Sequence, residues 1–147
     1  MEVHPMLRRE KGFTLIELLI VVAIIGIIAA IAVPNLLTAI QRSKRSRTAA
    51  DMRAIGTALG SYQVDNNNFP LGTGDFDTVS PSILTSAYYA GSTKDGWGRD
   101  YYYEGTSQGY TLRSFGKDGT TLQDGDFNSN IFYINGQFTA PSTFIKR

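Results

Sequence analysis

The chain has no cysteine, so no disulfide holds it together and no thiol chemistry is open to it. It has a single histidine, His4, within the first dozen residues. One histidine at an end of the chain is poor material for a zinc site or a nucleophile–base pair. There is no excess of either charge. Fourteen Lys and Arg stand against thirteen Asp and Glu, a formal net charge of +1, so no global polyelectrolyte signature marks a nucleic-acid partner. At 147 residues the length suits one small domain plus an extra segment. Packing, hydrogen bonds and a hard cation are what remain to stabilise such a domain.

One stretch organises everything else. From Phe13 to Val33 the sequence is apolar with a single charge, Glu17. As a helix it is roughly 30 Å long at about 1.5 Å per residue, enough to cross a bilayer's hydrocarbon core. A secretory signal accounts for the basic start (Arg8, Arg9, Lys11) but not for the rest. The apolar run is too long for a signal core. Pro34-Asn35-Leu36-Leu37 follows it where a small-residue cleavage site belongs, and Glu17 sits inside it. A carboxylate at that depth costs on the order of a few kcal/mol, so it needs a partner. A plain anchor whose Glu17 reaches to the headgroups is the alternative that physics alone leaves open.

Lys11-Gly12-Phe13-Thr14-Leu15-Ile16-Glu17 closely resembles the processing motif of type IV pilins and of the pseudopilins of type II secretion, and the resemblance runs on through Pro34. It implies that residues 1–12 are a leader removed by a prepilin peptidase, which cuts between Gly12 and Phe13 and methylates the new amine on Phe13. Glu17 then becomes the fifth residue of the mature chain, where the resemblance implies that it pairs with the N-terminal amine of a neighbouring subunit. Two opposite charges buried together cost far less than either alone. Pro34 is a weak point of this helix, since proline removes a donor and crowds the preceding turn, and Gly26 is either a second one or a place for close helix approach. The resemblance makes that segment, with Pro34, the part that loosens on assembly. Lys and Arg flank both ends of the span, so charge does not orient it. The resemblance does: leader in the cytoplasm, C-terminal domain in the periplasm, anchor in the inner membrane.

Beyond Pro34 the helical pattern resumes. Met52, Ile55, Leu59 and Tyr62 recur at three- and four-residue steps, with Ala54 and Ala58 alongside. This is one apolar stripe, expected to pack on the chain's own sheet. Asp65-Asn66-Asn67-Asn68 is expected to end the helix, giving a rod of roughly 80 Å from Phe13. A rod whose first half is apolar belongs in lipid or in a bundle of like rods. The basic run from Arg42 to Arg47 has three possible partners: anionic headgroups, acidic groups of a neighbouring subunit, or DNA. It is short and has no interleaved aromatics, so nucleic acid is not expected.

Residues 69–94, rich in Pro, Gly, Ser and Thr, read as a loop with a short helical turn near Pro81–Leu84. A strand is expected through Tyr101–Tyr103, a loop over Glu104–Gly109, and a half-buried strand over Tyr110–Phe115. Ile131–Ile134 and Gln137-Phe138 flank Asn135-Gly136, a strong hairpin signal. The expected fold class is α+β: a long N-terminal helix over residues 13–66, membrane-spanning over about 13–36, packed on a small antiparallel sheet in residues 67–147.

Asp95-Gly96-Trp97-Gly98, the tyrosines after it and Ser114-Phe115-Gly116-Lys117-Asp118-Gly119 resemble the C-terminal region of the major pseudopilins of type II secretion. Gly96 stands where that family usually has proline. The resemblance implies a calcium-binding loop after the Gly-x-Asp-Gly motif, with Asp118, Asp124 and Asp126 as candidate ligands. Carboxylates and the free carbonyls of flexible glycines suit calcium. The loop lacks the closing glutamate of an EF-hand, and Asn128 and Asn130 stand where acids are usual. The spacing by itself fits a solvated acidic turn as well.

The function so implied is a filament subunit that drives protein export through a type II secretion system. Its partners would be copies of itself, the prepilin peptidase, minor pseudopilins, an inner-membrane assembly platform with its ATPase, and membrane lipid. The alternative within the superfamily is a type IV pilin forming surface pili for adhesion, motility or DNA uptake. A membrane-anchored enzyme using Glu104 and an aspartate as a carboxylate pair is the reading from another class, and nothing in the spacing supports it.

Overall fold

The computed structural model describes residues 12–80, 83, 87–119 and 130–139. The chain divides into two compact units, residues 1–38 and 39–147. One helix, α1 (Leu15–Asn66), contributes to both. In the first unit every large apolar side chain from Leu15 to Leu37 is exposed. The helix there is apolar on all sides, the pattern of a membrane span or bundle core, and it is long and apolar enough to cross a membrane. α1 runs through Pro34 without a break in assignment. The missing N–H of Pro34 leaves the Ala30 carbonyl without its ordinary helix donor. Around it Asn35 Nδ2 donates to the Ile31 carbonyl (3.2 Å) and Thr38 Oγ1 to the Pro34 carbonyl (3.1 Å).

In the second unit α1 carries the expected stripe. Met52, Ile55 and Leu59 are fully buried and Ala58 nearly so, while Tyr62 packs at the margin. Ala54 does not belong to the stripe: it is exposed, because the buried face advances by threes and fours from Thr48 and passes it by. The helix ends at Asn66, where Asn67 turns to φ 57 and its N–H caps the Gln63 carbonyl at 2.7 Å.

Among the described residues five short strands form an antiparallel meander in chain order: β1 (Gly72–Asp75), β2 (Tyr102–Thr106), β3 (Gly109–Ser114), β4 (Ile131–Ile134) and β5 (Gln137–Thr139). Along β3 burial alternates, with Tyr110, Leu112 and Ser114 buried and their neighbours half-exposed. Tyr101, Tyr103, Leu112, Tyr133 and Phe76 complete the core with the helix stripe. Asn135 (φ 46) and Gly136 (φ 88) make the β4–β5 turn, which requires positive φ at both positions.

Two further expectations change. The stretch read as loop over residues 69–94 contains β1 and a one-turn helix, α2 (Phe76–Val79), while most of the turn expected near Pro81–Leu84 lies outside the described residues. Glu104–Thr106 is strand rather than loop, because β3 pairs with all three residues and β1 pairs with Glu104 and Gly105 from the other side.

Candidate functional site

Two places carry the residues singled out by the sequence. The first is the start of α1. Gly12, Phe13 and Thr14 precede the helix in non-helical conformation, and Phe13 is exposed. Thr14 N–H and Oγ1–H both donate to Glu17 Oε2, at 2.8 and 2.7 Å. Glu17 N–H donates back to Thr14 Oγ1 at 3.3 Å. This is a capping box, in which the Thr and the Glu three residues on satisfy each other's free groups at a helix start. The reading of the sequence passed over this role of Thr14, although Thr-x-x-Glu ahead of an apolar run is the signal for it; it gives Glu17 a polar partner inside a single subunit.

The second place is the turn between α2 and β2, seated on α1. Asp95 is buried at its centre. Its Oδ1 accepts the Trp97 and Arg99 N–H groups at 2.9 and 3.0 Å, and its Oδ2 accepts the Ser114 hydroxyl at 2.7 Å. The turn is tied to the helix at two points. Gly96 N–H donates to Thr48 Oγ1 at 2.8 Å, and Trp97 Nε1–H donates to Gln41 Oε1 at 2.8 Å. A Cβ on Gly96 would collide with the Lys44 carbonyl. Proline, usual at this place in the resemblance, would both collide and lack the N–H that Thr48 accepts. Thr48 lies four residues before Met52, so the stripe itself pointed to it.

Of the three candidate metal ligands, Asp118 is half-buried where β3 leaves the sheet, whereas Asp124 and Asp126 lie outside the described residues. Among the described residues no three Asp, Glu, His or Cys side chains come together to hold a metal. The chemistry of the donor set still fits calcium: one carboxylate at the loop's mouth, beside Gly119 at φ 72, with two more carboxylates in the same loop. Sequence reading missed Arg99. Its Nη1 donates to the Gly116 and Lys117 carbonyls at 2.6 and 2.9 Å, at that same mouth.

Nearby, Lys94 pairs with Asp100 at 3.0 Å. That contact, with Asp77 and Asp75 beyond it, holds the ammonium pKa above its ordinary value. The pair is largely exposed and contributes little to stability.

An apolar single helix, entered through a short non-helical segment and continued into an antiparallel sheet domain, defines a pilin-like subunit. A family model described as the prokaryotic N-terminal methylation motif matches residues 7–33, and one described as type II secretion system protein G matches residues 35–131. The chain belongs to the type II secretion system protein G family, and it functions as a major pseudopilin of type II secretion. It is 32% identical over 142 residues to type II secretion system core protein G of Vibrio cholerae, covering 86% of this chain and 97% of that one. The proteins of the same name from Pseudomonas aeruginosa and Escherichia coli K12 are 30% and 28% identical. They cover 83% and 82% of this chain, and 96% and 91% of their own lengths. No solved structure matches the chain.

Proposed function

We propose that this pseudopilin is made as an inner-membrane precursor, cut between Gly12 and Phe13 by a prepilin peptidase, methylated on Phe13, and polymerised into a periplasmic filament. The observation that carries this reading is the pairing of an exposed, non-helical Gly12-Phe13 junction with an uncovered helix directly after it that is apolar to Val33 but for Glu17. A peptidase needs an extended bond to grip, and the helix needs either lipid or like helices around it. Both needs are met in turn, before and after assembly.

Within the membrane Thr14 holds Glu17. In the filament Glu17 takes the methylated amine of a neighbouring Phe13 as its partner. Growth is driven by a separate cytoplasmic ATPase through an inner-membrane platform, with minor pseudopilins in the same filament, and it pushes exported proteins through an outer-membrane channel. The role is structural rather than catalytic. Asp118, with Asp124 and Asp126, would hold calcium, which would supply a hard cation to balance the three carboxylates of that stretch.

Mass spectrometry of the protein purified from its own membranes tests the processing. The expected N-terminal peptide begins at Phe13 and carries one added methyl group. A peptide that begins at Met1, or one cut beyond Pro34 as by a signal peptidase, contradicts it.

A further inference from the structure

We propose that the turn carrying Trp97 and the basic stretch of α1 beside it form a foot that seats the sheet domain on the anionic phosphate headgroups of the bilayer. The inference rests on the reading of α1's first half as a membrane span, and adds to it the surface by which the rest of the chain meets lipid.

Charge gives the first observation. Between Glu17 and Asp51 α1 has no acidic residue, and its only charges there are Arg42, Lys44, Arg45 and Arg47. Arg47 pairs with Asp51 at 3.6 Å. Arg42 is exposed and Lys44 half-buried, and among the described residues neither has an ion pair. The exposed apolar run of α1 reaches Leu37, with Ile40 just after it. Arg42 stands five residues beyond Leu37, roughly 8 Å along a helix. The headgroup zone of a bilayer is roughly 5 to 8 Å deep on each side. A span that ends near Leu37 therefore puts these cations among phosphates. Each basic residue so placed strengthens association with an anionic surface about fivefold.

Trp97 gives the second, independently. It is the only tryptophan of the chain and packs, half-buried, at the margin of the core. Its Nε1–H reaches Gln41 Oε1 at 2.8 Å, beside Arg42. Coming from the span, Gln41 is the first residue of α1 that a hydrogen bond ties to the sheet domain among the described residues. The turn is held at that level, because Gly96 lies directly against the Lys44 carbonyl. An indole, with an apolar body and one polar edge, belongs at the boundary between lipid and water. The acids of the turn do not cancel the cations. Asp95 is taken up by Trp97, Arg99 and Ser114, and Asp100 by Lys94. A nucleic acid or an acidic protein could meet the cations, but neither accounts for their place directly beyond an apolar span. The bilayer surface accounts for the cations, the indole and their position together.

Because Trp97 is the only tryptophan, its emission reports on this surface alone. The test uses the full chain in lipid nanodiscs, one set of phosphatidylcholine alone and one with phosphatidylglycerol added, both with a quencher on the headgroup of a trace lipid. Quenching is expected to be at least roughly twofold stronger in the anionic discs, and the gain to vanish at about 1 M salt, where charges are screened within about 3 Å. Arg42→Glu with Lys44→Glu is expected to remove the gain at low salt. Arg42→Glu alone, at an exposed position, should remove about half of it with the melting temperature unchanged. Equal quenching in the two lipids, or a gain that survives both salt and charge reversal, overturns the inference. Emission that follows protein concentration instead of lipid charge makes a neighbouring subunit the occupant, and emission that follows added duplex DNA makes it nucleic acid; either overturns it too. A chain that enters neither disc overturns the span reading, and the foot with it.

Discussion

Replacing Glu17 with leucine is expected to leave a chain that inserts and is cleaved normally but adds to filaments about a hundredfold less readily. Removing one partner of a buried charge pair costs roughly 3 to 5 kcal/mol, because the other charge is left alone in an apolar place. Even the low end of that range is a factor of about a hundred in an association constant. The leucine itself is harmless to the anchor, since the residues that follow it along α1, Leu18 to Ile25, are all apolar. The substitution also removes the capping box to Thr14, whose loss costs about 1 kcal/mol at a helix start. Glu17→Gln separates the two effects. It keeps an acceptor for Thr14 N–H and Oγ1–H but cannot neutralise an amine. If the amine is the partner in the filament, the glutamine chain assembles almost as poorly as the leucine chain. If capping is the whole role, it assembles normally. Sheared filaments quantified against membrane-held subunit give the readout, and a leucine chain that assembles at the ordinary level would sink the pairing.

Asp95→Ala is expected to unfold the sheet domain or bring it close to unfolding. Asp95 is 3% exposed and takes three donors, from Ser114, Trp97 and Arg99. The Ser114 hydroxyl is buried and the other two donors partly so, and each donor left unpaired costs about 1 to 3 kcal/mol. Three of them approach the 5 to 15 kcal/mol that holds a small domain together. The turn would also lose its hold on α1, since Gly96 and Trp97 reach Thr48 and Gln41 only from the conformation that Asp95 fixes. A melting temperature lower by more than about 10 °C is the expected result. Gly96→Pro should move the same way by a smaller amount, through one lost bond and one backbone collision. An Asp95→Ala domain that melts within a degree or two of the unaltered one would show that the turn is held by packing alone.

These residues also mark what the sequence made legible. The helix stripe, its end at Asn66 and the Asn135-Gly136 hairpin were readable because each is local: spacing, a turn cluster and a φ requirement state them within a few residues. The start of α1 was readable from its motif, and the capping box could have been. β1 was not readable. Gly72-Thr73-Gly74-Asp75 has no strand character of its own, and it is a strand only because Glu104 and its neighbours lie opposite. Glu104–Thr106 looked like loop for the matching reason, a charge and a glycine whose extended form is imposed by partners on both sides. The Asp95 turn shows the same limit at the level of chemistry. Asp95, Gly96 and Trp97 stood out as a motif, yet their partners Thr48, Gln41 and Ser114 lie 19 to 56 residues away. No spacing rule reaches that far. Arg99 belongs with them, since its carbonyl partners lie 17 and 18 residues on.

The central claim, a pseudopilin whose filament drives export, is tested most directly by the extracellular protein profile of a deletion strain against its parent, with surface filaments imaged from the same cultures. Exported proteins are expected to collect in the periplasm while surface filaments remain. Unchanged export together with the loss of surface filaments would contradict the account and make this chain a surface pilin.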